Sequence, residues 1–62
     1  MKHYIKSYLW KNSITFDEQW QDGIQTLIVR PKHKEQLIEF LKDEKAFKKC
    51  EEKINLVFIT LK

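Results

Sequence analysis

Two stretches of the chain are apolar on both sides of a strand's alternation: Ile24-Gln25-Thr26-Leu27-Ile28-Val29 and Ile54-Asn55-Leu56-Val57-Phe58-Ile59-Thr60-Leu61. Successive strand residues point to opposite faces, so neither alternate set in these runs is polar enough for water. Such strands need cover above and below. A third stretch, residues 13–21, alternates cleanly. Ile14, Phe16 and Trp20 share one side with Glu18, while Ser13, Thr15, Asp17, Gln19 and Gln21 share the other. That period predicts a half-exposed antiparallel strand. Asp22-Gly23 stands directly between it and the run from Ile24, and such a pair is a strong hairpin signal because both central turn positions take positive φ.

The flanking segments complete the element order. Tyr4, Ile5, Tyr8 and Leu9 fit a helical stripe, but as a strand Ile5 and Leu9 oppose Tyr4, Tyr8 and Trp10. Aromatic and β-branched enrichment, with Lys11-Asn12-Ser13 as a polar turn, favours strand and gives an N-terminal antiparallel meander. Pro31 ends the third strand and opens a helix, where its missing N–H costs nothing. Leu37, Ile38, Phe40 and Leu41 form the apolar stripe of that helix, ringed by Lys34, Glu35, Gln36, Glu39 and Lys42. Continued to Glu52 it would span roughly 30 Å, against roughly 23 Å for a strand of seven residues. A break near Asp43 is therefore expected, with Asp43 capping a second short helix that carries Ala46, Phe47 and Cys50. These elements sum to an α+β fold in one domain, residues 1–62: about four strands in a single sheet, order β-β-β-α-β, packed on one helix. The last strand is expected in the sheet interior, or at an edge that pairs with another chain.

Composition narrows the class. With 62 residues there is room for one core, and a chain of this size buries only about 60% of its unfolded surface. The chain is 42% hydrophobic and 34% charged, yet its two Trp, two Tyr and four Phe argue against disorder. A lone cysteine, Cys50, excludes an internal disulfide and leaves no second thiol for a zinc site. The start, Met1-Lys2-His3-Tyr4-Ile5-Lys6, has no apolar signal core, and no run approaches the roughly 18 residues that span a bilayer. A cytoplasmic protein without a membrane segment is expected.

Catalytic patterns are absent from the residue order. His3 and His33 lie far apart with no nucleophile beside them, and a single glycine rules out a phosphate loop. Asp17 and Glu18 point to opposite faces of a strand, whereas Glu35 and Glu39 share an outer helix face beside lysines. Acid–base chemistry needs two carboxyls in different environments across a cleft, so no enzyme, cofactor or metal is expected. Cys50 reads as a small hydrophobe packed with Phe47 rather than a thiolate stabilised by Lys48, Lys49 and Lys53.

Two surfaces remain as candidates. Arg30-Pro31-Lys32-His33-Lys34 places cations where a strand meets a helix N-terminus, which attracts anions. Lys2, Lys6 and Lys11, interleaved with Tyr4, Tyr8 and Trp10, extend a pattern that suits single-stranded nucleic acid. A net charge of only +3, with other lysines alternating with acids, makes this the secondary expectation. The primary one follows from the doubly apolar strands. One helix covers one sheet face, and the other face needs a partner. Tyr4, Tyr8, Trp10 and Trp20, with Val57 and Ile59 from the sheet, are the candidate contacts. The chain is thus expected to be a small non-enzymatic interaction protein that binds another protein or, as a homodimer, a second copy of itself. Inhibitors, antitoxins and accessory subunits of bacteria and their phages are of this general kind.

Overall fold

The N-terminal segment His3–Lys11 is a helix, α1, in the computed structural model, which describes residues 1–62. A strand was expected there, but the spacing of Ile5 and Leu9 decides otherwise: both are buried on one helical face. Packing of that face outweighs the β-propensity of the aromatic residues. The chain then forms β1 (Phe16–Gln21), β2 (Ile24–Val29), a short 3-10 turn at Pro31–His33, α2 (Lys34–Asp43), β3 (Phe47–Lys53) and β4 (Leu56–Leu61). The α+β class, the four-stranded sheet, the Asp22-Gly23 hairpin and the end of the helix at Asp43 agree with the sequence pattern. The element order is αββαββ.

The second difference lies after α2, where Phe47–Lys53 is a strand and not a short helix. Phe47 and Cys50 are three residues apart, a helical spacing. A bulge between Phe47 and Lys49 inserts one residue into β3, so Phe47 opposite Leu61 and Cys50 opposite Ile59 fall on the same sheet face. The sheet order is β1-β2-β4-β3, with every neighbouring pair antiparallel. β4 is therefore interior, as its composition demands. It runs opposite to β2, because β3 intervenes between the helix and this last strand.

Both helices lie on one face of the sheet. Ile5 and Leu9 of α1 and Leu37 and Leu41 of α2 share a single core with Leu27, Val29, Val57, Ile59 and Leu61, and Ile14 closes it. The helices run antiparallel: the Tyr8 ring stacks on Phe40 with centroids 3.8 Å apart, and Gln36 Nε2 donates to Asn12 Oδ1 at 2.9 Å. The result is a two-layer slab of 28 × 26 × 18 Å.

Candidate functional site

Strand parity fixes what the second sheet face carries. Paired residues in an antiparallel ladder point the same way, so Leu27 and Val29 of β2 share the helix side with Val57, Ile59 and Leu61 of β4. The open side carries Ile24, Thr26 and Ile28 from β2 and Leu56, Phe58 and Thr60 from β4. Asp17, Gln19 and Gln21 of β1 border it on one flank, and Lys49, Glu51 and Lys53 of β3 on the other. Ile28 and Phe58 are directly opposed across the two central strands, and Leu56 is exposed beside them. The Lys53 ammonium lies 4.7 Å from the ring centroid of the half-buried Phe58. Ile54, in the β3–β4 turn, extends the apolar surface beyond the sheet.

The sheet contacts expected from sequence are corrected here. Val57 and Ile59 are each 0% exposed and belong to the core under the helices. The apolar residues of the open face are Ile24, Ile28, Leu56 and Phe58. A signal for the parity lay within β4 itself, since the set Leu56, Phe58, Thr60 contains a polar residue and the set Val57, Ile59, Leu61 does not. Tyr8 is spent internally, its ring stacked on Phe40 between the two helices, whereas Tyr4 meets Phe40 only at 6.2 Å and stays 36% exposed. Trp10 is 73% exposed on α1, and Trp20 is 58% exposed on β1, on the helix side of the sheet.

The basic segment is brought together only in part. Arg30 and Lys32 are exposed and His33 is half-buried. Lys34 forms an ion pair with Glu52 of β3, and that hydrogen bond raises its pKa above the usual lysine value. The Asn12–Gln36 hydrogen bond holds the end of α1 against the start of α2, which places Lys11 at the same end of the molecule as Arg30 and Lys32. Lys6 is exposed midway along α1, apart from that end. Cys50 is half-buried on the helix side. Burial pushes its thiol pKa up, with the Lys34 charge opposing, so it is a poor nucleophile near neutral pH. No three His, Cys, Asp or Glu side chains converge as metal ligands, and no helix is long and apolar enough to cross a membrane.

A groove of about 650 Å³ lies at the opposite end of the slab, where α1 begins, the β1–β2 hairpin turns and the chain leaves α2. Tyr4, Ile5, Trp20, Ile24, Ala46 and Leu61 give it apolar walls, and Lys2, Lys45, Lys48 and Lys62 ring it with Glu44 as the one acid. Sequence patterning missed this cluster because its members come from five separate places in the chain. No protein-family model matches the chain, and neither a curated protein nor a solved structure shows significant similarity to it.

Proposed function

We propose that the protein is a non-enzymatic interaction protein that pairs, through its open sheet face, with a second copy of itself. The observation that carries this is the placement of both helices on one side, which leaves Ile24, Ile28, Leu56 and Phe58 uncovered on the two central strands. A domain of this size without disulfide or metal gains most from covering such a face.

Charge favours a second copy as the occupant. The open face is flanked by two cations, Lys49 and Lys53, and two anions, Asp17 and Glu51. It is neutral on a molecule of net charge +3, so two copies meet there with the least repulsion. Edge-to-edge pairing is less suited. β1 presents Asp17 and Glu18, and β3 is bulged and carries five charged residues among its seven, both devices that discourage strand addition. A reducing, cytoplasmic setting fits the free Cys50.

Sedimentation across a concentration series tests the reading. The wild type is expected to be a dimer at micromolar concentration, and Leu56→Lys, at an exposed position, is expected to be a folded monomer by mass and circular dichroism. Phe58→Lys provides a second, more central disruption. A wild type that stays monomeric at roughly millimolar concentration, where even weak pairs of about 4 kcal/mol form, would overturn it. The nucleic-acid reading keeps only Lys11, Arg30 and Lys32 as free cations at one end, since Lys34 is already paired.

A further inference from the structure

We infer that the groove at the α1 start is a binding site for a small anion with a flat aromatic body. Its volume, about 650 Å³, falls in the range of roughly 300–1,000 Å³ typical of small-molecule sites. Three features define the ligand. The exposed Trp20 ring and the Tyr4 ring supply aromatic surface on which a planar group stacks. Lys2, Lys45, Lys48 and Lys62, against Glu44 alone, make the rim cationic, so the ligand's polar end is an anion.

The third feature is a buried polar side chain at the groove wall. Gln25 is 5% exposed, directly opposite Trp20 in the ladder, on the helix side of the sheet. Its Nε2 donates to Glu18 at 2.5 Å, which fixes the amide's orientation. The carboxamide oxygen accepts no protein hydrogen bond, yet it is not sealed from solvent. A glutamine in an interior strand position is unusual. A free acceptor on a residue that lines the groove suits a ring N–H or O–H donor. Ring, donor and anionic tail together describe a heteroaromatic carboxylate or a nucleoside phosphate. The two differ in where the anion comes from and not in how the groove would hold them.

The groove shares Ile24 with the open face but none of Ile28, Leu56 or Phe58, so each reading can fail alone. The test is a titration of the full chain, labelled with nitrogen-15, with indole-3-carboxylate, adenosine monophosphate and the neutral indole-3-carboxamide. Expected are saturable shifts of the Trp20 indole N–H and the Gln25 side-chain amide with at least one anion. The neutral amide should bind about tenfold more weakly than indole-3-carboxylate, and the Lys45→Gln/Lys48→Gln double variant should lose about tenfold for the anions. Tighter binding of the carboxylate or of the nucleotide identifies the anion's source. The same shifts should persist in monomeric Leu56→Lys. Equal affinity for the neutral amide, shifts confined to Ile28 and Phe58, or no saturation by roughly 10 mM would each overturn the inference.

Discussion

Ser13 and Lys45 close the two helices in the left-handed region, with φ of 54° and 57°. Each follows its helix by two residues and makes the same pair of hydrogen bonds. Ser13 N–H donates to Trp10 and Ile14 N–H to Leu9; Lys45 N–H donates to Lys42 and Ala46 N–H to Leu41. That geometry normally takes glycine, because a Cβ costs about 1–2 kcal/mol there. Replacement by glycine also loosens the unfolded chain. Ser13→Gly is therefore expected to raise stability by about 0.5–1 kcal/mol, visible as a rise of several degrees in the thermal midpoint. The strained closures also explain a limit on legibility. With no glycine after Asn12 or Glu44, the helix ends lack the usual closing residue, whereas Asp22-Gly23, with φ of 52° and 77°, announces its turn openly. Cys50 gives a second expectation. Burial raises its thiol pKa, so its neutral form stabilises the fold below the unfolded thiol value, and the contribution is lost as pH rises through the folded one. The raised Lys34 pKa acts in the same direction at higher pH. Denaturant melts from pH 7 to 11 should show stability falling on the alkaline side, with a shallower fall near pH 9 for Cys50→Ala.

Two elements of the fold could not be read from local pattern, and both for stated physical reasons. α1 carries residues that favour strands, and burial of Ile5 and Leu9 in the core, with Tyr8 stacked on Phe40 of α2, makes helix the better solution. β3 hides its alternation behind one extra residue at the bulge, and its charges mark it as an edge. The hairpin, α2 and the interior place of β4 were legible because each depends on its own residues: Asp22-Gly23, the Leu37–Leu41 stripe, and a run too apolar for an edge. The open face was legible as a requirement, but its members were only weakly marked: Thr60 points to the outward set of β4, whereas Gln25 in the inward set of β2 points the other way. The dependence of α1 on α2 is measurable. Tyr8→Ala should destabilise by about 2 kcal/mol, loss of partly buried aromatic area. A double-mutant cycle with Phe40→Ala should return a coupling of about 1 kcal/mol for the stacked pair. Additive effects would mean that the two helices are held by the sheet separately.

At the scale of the whole molecule, the distribution of charge separates the surfaces. The flanks of the open face sum to zero, from Lys49 and Lys53 against Asp17 and Glu51, so the net +3 lies away from that face. Face-to-face pairing keeps those excess charges at the outside of the assembly, where salt screens them over roughly 10 Å at 0.1 M. Raising ionic strength should then leave the dimer's affinity unchanged or slightly stronger, because the only long-range term is mild repulsion between two +3 bodies. An interface built on the basic end with a polyanion behaves in the opposite way, its affinity falling steeply with salt as counterions are no longer released with profit to binding. Sedimentation equilibrium at about 20 mM and about 500 mM sodium chloride therefore tells an apolar dimer contact from an ionic one. A dimer constant that changes by less than about threefold points to the neutral apolar face. One that collapses at high salt places the contact between opposite charges, and the sheet face would then have to be covered by something other than a second copy.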